Sequence, residues 1–196
     1  MLFRSESLTF TWDVYAFGAR ATADAANVNL SGLDDTNDFS SPDGLWFGLP
    51  TNAGGQAAPL LFVQTDDGAY TDVTNCMMLA ALPGRVGDGG SDAKRTITST
   101  DQNGAVREVA THVGAPAGDK VRRFLVGPVH SEITGVAESP DGRALFVNIQ
   151  HPGEESKPAD IGSPDKFSSH WPDGGMSRPR SATIVITKND GGLIGL

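Results

Sequence analysis

Ser41-Pro42-Asp43-Gly44 recurs 98 residues later as Ser139-Pro140-Asp141-Gly142, and the likeness continues from Leu61-Phe62-Val63-Gln64 to Leu145-Phe146-Val147-Asn148. The offset falls to 84 residues in the second part, because the first copy carries a 14-residue insertion. Proline presets φ and glycine supplies positive φ, so Pro-Asp-Gly reads as a tight turn. Each copy then reads as a hairpin turn followed by an apolar strand. Propeller blades repeat every ~40–50 residues, and the spacing of the two copies is close to twice that period. The expectation is an all-β chain, a β-propeller, with room for about four blades in 196 residues. An aromatic strand beginning a few residues after Met1 favours a partial ring over a closed four-bladed one.

Other strand candidates, rich in β-branched and aromatic residues, are 8–17, 60–64, 121–126, 133–137, 144–149 and 182–187. The last runs into Lys188-Asn189-Asp190-Gly191-Gly192, a hairpin turn, with 193–196 as its return strand. Only 21–27 and 76–81 hold enough Ala, Leu or Met without a breaker to make short helices. Surface loops are expected at 48–59, 84–104 and 153–176, and residues 1–196 read as part of one domain. Gly (24) and Pro (12) are frequent, as in a turn-rich β protein but short of low complexity.

Charge narrows the function classes. Fifteen Lys and Arg against 24 Asp and Glu leave a net charge of -9, which repels nucleic acid and anionic membranes. No apolar run is long enough to span a bilayer, and the opening lacks the charged-then-apolar layout of a secretory signal. A single cysteine, Cys76, excludes an internal disulfide and a thiolate zinc cluster. Its neighbours Met77 and Met78 make it read as a buried small hydrophobe.

There is no Gly-x-Ser-x-Gly elbow, phosphate-cradling Gly-rich loop or His-Glu-x-x-His. What remains is acids, amides and histidines at strand ends. Gln64-Thr65-Asp66-Asp67-Gly68 follows the first apolar strand, and Asn148-Ile149-Gln150-His151-Pro152-Gly153-Glu154 follows the second. Aligning the copies sets Asp66 and Asp67 on Gln150 and His151, at one end of the structure. Converging oxygens there suit Ca²⁺, whereas an imidazole suits a transition metal. The alternative is that these residues only close turns. Glu132 enters an apolar strand beside a small-residue turn, a position that points it into a shared cavity; a surface role is its alternative. The acidic run 34–38 lacks the Gly and distal Glu of a calcium loop and reads as solvated. Arg122, Arg123, Arg178 and Arg180 either grip an anion or pair with acids.

The run Arg123-Phe124-Leu125-Val126-Gly127-Pro128, then Glu132-Ile133-Thr134-Gly135, then the strand ending Val147-Asn148-Ile149-Gln150-His151-Pro152-Gly153-Glu154, resembles the bacterial alkaline phosphatase family PhoX. Phe10-Thr11-Trp12-Asp13, the segment 39–45, Thr65-Asp66-Asp67-Gly68 and the closing run from Trp171-Pro172 to Asp190-Gly191-Gly192 support the likeness, which covers the C-terminal portion of the family's longer chain. The resemblance implies a six-bladed β-propeller that hydrolyses phosphate monoesters with Ca²⁺ and Fe³⁺, exported by the twin-arginine route to the periplasm or beyond. It implies that Glu132 is a metal ligand, with Asp43, Asp66 and Asp67 as calcium ligands and His151, Gln150 and Glu154 as structural or supporting residues. Catalytic and phosphate-binding residues are not assigned by it. Gly44 stands where many members have Asn, and His130 lies where a basic phosphate-gripping residue is expected. A segment of such a ring would associate with the missing N-terminal blades or with itself. A non-catalytic calcium-binding propeller module and a propeller lactonase are the competing readings.

Overall fold

Nine strands form three antiparallel sheets among the residues that the computed structural model describes, which are 7–48, 60–66, 73–90, 94–100 and 103–195. They are β1 (Pro42–Phe47), β2 (Leu61–Thr65), β3 (Met77–Ala81), β4 (Lys94–Thr100), β5 (Val106–His112), β6 (Val121–Val126), β7 (Glu132–Glu138), β8 (Ala144–Gln150) and β9 (Ala182–Thr187). One sheet has the order β1-β2-β3-β6, β4 and β5 form a separate hairpin, and β7-β8-β9 is a three-stranded meander. No α-helix occurs among the described residues, and none of the sheets closes on itself. The all-β expectation holds, while a propeller ring is not established by these sheets.

Side-chain alternation makes the four-stranded sheet the middle layer of the structure. All five residues of β2 are buried. Leu61 and Val63, with Met77, Leu79, Ala81 and Val121, face Leu33, Phe39 and Ala117 of the irregular segments. Phe62 and Met78 point the other way and pack on Ile133, Leu145, Val147 and Ile149 of the β7–β9 meander. Each such side chain contributes about 1.5–3 kcal/mol by leaving water. An edge-to-face contact between Phe62 and Phe124, with ring centroids 5.2 Å apart, sits in the second core.

Several sequence expectations are corrected. Residues 76–81 do not form a helix: Met77–Ala81 is β3, hydrogen-bonded between β2 and β6. Residues 21–27 form turns, because the Asp24 carboxylate accepts from the Ala26 N–H and the Asn27 amide and closes the chain locally. Residues 8–17 make no strand; their pairing is an isolated bridge, Val14 to Val113. Residues 193–195 do not return as a strand but fold back so that the Ile194 N–H donates to Gly142 O at 2.9 Å. Within 84–104, expected as a loop, Lys94–Thr100 is β4. Most of the 48–59 loop lies outside the described residues. The third loop, 153–176, is irregular as expected and contains two single 3-10 turns, Pro158–Asp160 and Pro164–Lys166.

The repeat is real in its second strand and differs in its turn. Ser139–Gly142 is the β7–β8 turn, with Gly142 at φ 68° and the Ser139 hydroxyl accepting from the Ala144 N–H. Pro42-Asp43-Gly44 is no turn; it opens β1, where a bulge between Pro42 and Gly44 shifts the register. Its counterpart is the start of β7, bulged between Ile133 and Val136. Pro42 pairs with Thr65 as Ile133 pairs with Ile149. Bulges re-aim side chains at strand ends, and here both bulges lie at the end of the sheets that carries the acids.

Candidate functional site

Glu132 is the first residue of β7, pairs in register with Gln150, the last of β8, and is only 8% exposed. Burial of a carboxylate is costly unless it is paired. Its closest basic neighbour is His151, whose Nε2 lies 3.4 Å from Glu132 Oε2. The carboxyl is held above the ordinary glutamate value of 4.5, first by burial, then by the negative charges of Asp66 and Asp43, with His151 opposing. Asp43 and Asp66 thus bear on Glu132 from the other sheet. The Asp66 N–H donates to Ser41 O at 3.1 Å, which ties the end of β2 to the start of β1.

His151 stands between two acids. Its Nδ1 lies 3.1 Å from Glu154 Oε2, without the alignment of a hydrogen bond. Its backbone N–H donates to the Ser181 hydroxyl at 2.9 Å, fixing the strand exit against the closing segment. Glu154 is held to two turns at once, its N–H donating to His151 O and, at 3.4 Å, to His130 O. Gly153 sits at φ 75°, and a Cβ there would come within 3.0 Å of Ser169. The Pro-Gly bend is therefore required for the chain to pass.

Three non-glycine residues among those described adopt positive φ: Ser41 at 46°, His130 at 50° and His151 at 35°. Each such conformation costs about 1–3 kcal/mol and is characteristic of functional sites. All three flank the acids, at the start of β1, before β7 and after β8. His130 Nδ1 is also buried without a hydrogen-bond partner.

Of the residues singled out in the sequence, the structure brings Asp43, Asp66, Glu132, His151 and Glu154 into one neighbourhood. Gln150 pairs with Glu132 along the backbone and is itself exposed. Asp67 lies outside the described residues. Among the described residues, no three of His, Cys, Asp and Glu converge into a ready metal cage. The donor types are nonetheless right for a hard cation: the negative charges of Asp43 and Asp66 both bear on buried Glu132, with one imidazole and, among the described residues, no Lys or Arg paired with it, and positive charge would relieve that repulsion.

Most of the remaining candidates are structural. Asn37 in the acidic run 34–38 is fully buried; it donates to Gly118 O at 2.6 Å and Val121 O at 3.0 Å and accepts from the Asp34 N–H. Asp38 pairs with Arg123, Arg122 donates to the carbonyls of Gly118 and Val121, and Arg180 makes a two-pronged pair with Asp173 at 3.0 Å. Cys76 is buried. Sequence reasoning missed Ser41, which acts through its carbonyl and its positive φ, and Ser181, whose hydroxyl receives the His151 N–H; neither carries a sequence signal.

The family model described as alkaline phosphatase PhoX matches residues 3–153. That span contains Asp43, Asp66, Glu132 and His151 and stops just before Glu154. No curated protein and no solved structure matches the chain.

Proposed function

The chain belongs to the PhoX alkaline phosphatase family, and on that premise we propose that it hydrolyses phosphate monoesters at the cluster of Asp43, Asp66, Glu132 and His151. The observation that carries this reading is the electrostatic one. Glu132 is buried, and the negative charges of Asp43 and Asp66 bear on it, in a chain of net charge -9. A dianionic phosphate ester would be repelled from such a site unless cations reversed the local potential. Asp43, Asp66 and Glu132 would hold such cations, Ca²⁺ by donor type and Fe³⁺ by the family resemblance.

Bound there, a cation supplies Lewis acidity and positive charge toward the phosphoryl oxygens. The protein's own residues do the rest. Glu132 provides a buried carboxylate at the start of β7, with His151 Nε2 beside it and Glu154 near the other ring nitrogen. In the reaction, water oxygen bonds to phosphorus and gives up a proton, the ester P–O bond breaks, and the leaving alkoxide takes up a proton. The two stacked meanders, bulged at corresponding positions, support the propeller blades that the family implies, and export to the periplasm or beyond is proposed on the same ground.

Phosphate release from p-nitrophenyl phosphate, measured with Ca²⁺ and Fe³⁺ and after chelation, tests the reading. Turnover should require metal and fall at least 100-fold in Glu132→Ala, with metal content by elemental analysis falling in parallel. Metal binding without any turnover would favour the non-catalytic calcium-binding module instead.

A further inference from the structure

A cavity of about 330 Å³ opens beside the acidic cluster and shares His151 and Glu154 with it. Its volume is that of a small-ligand site. Lys157, Phe167, Arg178 and Arg180 also line it, and all four lie beyond the residues that the family model matches. The charges around this cavity are unlike those of the rest of the chain. Asp173 holds Arg180 from one side through both carboxylate oxygens, and Asp160 is taken by Lys166 at 3.3 Å. Lys157 and Arg178 make no ion pair among the described residues. Of the charged residues that line the cavity, Lys157, Arg178 and Arg180 outnumber Glu154, so in a chain with nine more acids than bases this wall carries an excess of positive charge that a ligand's anion could answer.

The walls are built to keep that shape. The Ser156 hydroxyl donates to Gly153 O at 2.7 Å and accepts from the Ser168 N–H at 3.0 Å, which joins two sides of the loop. The Arg180 N–H donates to Trp171 O, and Ser181 receives the His151 N–H at the boundary with the acidic cluster. Phe167 adds an apolar surface against which a flat group could rest.

We propose that this cavity receives the leaving-group side of the substrate and that Lys157 and Arg178 select leaving groups carrying a second anionic group, a carboxylate or another phosphate. The proposal rests on the phosphatase reading only for the identity of the molecule that brings the anion. The acidic cluster and the cavity would divide the substrate between them, the phosphoryl group on the cation side and the second anion on the Lys157 and Arg178 side. Lys157 and Arg178 are exposed, and two ion contacts at such positions correspond to about tenfold in selectivity.

Two measurements on the full chain separate this proposal from the reading it rests on. The first is binding of 4-hydroxybenzoate, with phenol as the uncharged comparison, followed by NMR titration, which needs neither metal nor turnover. The chain should bind 4-hydroxybenzoate and should lose at least fivefold in affinity in the doubly substituted Lys157→Gln, Arg178→Gln protein. Lys157→Arg with Arg178→Lys should restore it, which excludes a folding defect as the cause. The second is the ratio of kcat/KM for 4-carboxyphenyl phosphate over phenyl phosphate, which should fall about tenfold in the Gln variant. Equal binding of phenol and 4-hydroxybenzoate, or an affinity unchanged by the Gln substitutions, overturns the proposal. Retained 4-hydroxybenzoate binding with no hydrolysis of either ester overturns the phosphatase reading and leaves the anion site standing.

Discussion

Phe62→Ala tests whether the two large sheets share one core. Phe62 is 2% exposed, belongs to β2 of the four-stranded sheet, and packs with Ile133, Leu145, Val147 and Ile149 of the β7–β9 meander. Its ring also meets Phe124 edge to face at 62°. Truncation removes the transfer energy of the ring, the aromatic contact, and whatever the neighbours cannot refill, together about 3–5 kcal/mol. In a domain of this size each kcal/mol lowers the melting temperature by about 2–4 °C, so the variant should melt about 6–20 °C lower in a single transition. Leu45→Ala, on the adjacent strand β1 but 67% exposed, is the control and should cost at most about 0.5 kcal/mol. Circular dichroism melts, with urea titration for the free energy, supply both numbers. A loss below about 1 kcal/mol for Phe62→Ala, or two transitions of which one is unmoved, would refute the shared core and with it the stacking that sets Asp43 and Asp66 against Glu132.

Two further substitutions probe the site and its support. Glu132 has its folded pKa raised, by burial first, so in metal-free protein its ionisation costs stability that is absent below the unfolded-state value and complete above the folded one. Glu132→Gln should therefore match the parent in acid, exceed it in metal-free stability at pH 7, and lack the stabilisation that Ca²⁺ gives the parent; a melting curve with chelator and with Ca²⁺ at both pH values checks all three. Asn37→Ala should lose about 2 kcal/mol in urea titration, because it leaves the Asp34 N–H without its acceptor and the Gly118 and Val121 carbonyls with Arg122 alone, beside a fully buried side chain.

What was legible in the sequence follows from how each strand is buried. β6 and β9 fall on the expected residues, and β2, β7 and β8 lie within a residue of them, since all carry β-branched or aromatic residues between Gly, Pro and Asp. β3 did not look like a strand because Met77-Met78-Leu79-Ala80-Ala81 has no β-branched residue and is almost wholly buried on both faces. A strand covered on both sides loses the alternation that would identify it. β4 and β5 failed in the opposite sense: Lys94 to Thr100 is polar, and β5 is exposed at nearly every position, so neither buries the face that makes a strand visible. Residues 8–17 show propensity without consequence, because aromatic and branched side chains pair only where a neighbouring edge is offered, and the edge near Val14 extends to one bridge.

The gathering of the acids at one end was legible for a reason that survives the error about the turn. Placing Asp66 on Gln150 depended only on matching β2 with β8, and each is the central strand of its own meander or half-sheet, flanked on one side by a bulged partner. Taking Pro-Asp-Gly as the same turn in both copies hid the better equivalence, in which the start of β1 corresponds to the start of β7. On that register Gly44 opposes Gln64, and Gly135 lies against Asn148; an added Cβ would meet Gln64 Oε1 at 2.5 Å in one case and Asn148 Nδ2 at 3.1 Å in the other. The repeated element is thus a bulged strand whose glycine makes room for an amide on its neighbour. One position before the paired Pro42 and Ile133, the two copies diverge: exposed Ser41 stands in the first and buried Glu132 in the second. A repeat that keeps its backbone device and changes the residue beyond it is one whose strand ends were free to acquire chemistry while the strands themselves stayed fixed by packing. That separation is why the acids gather at this end and why the apolar strands behind them gave no hint of charge.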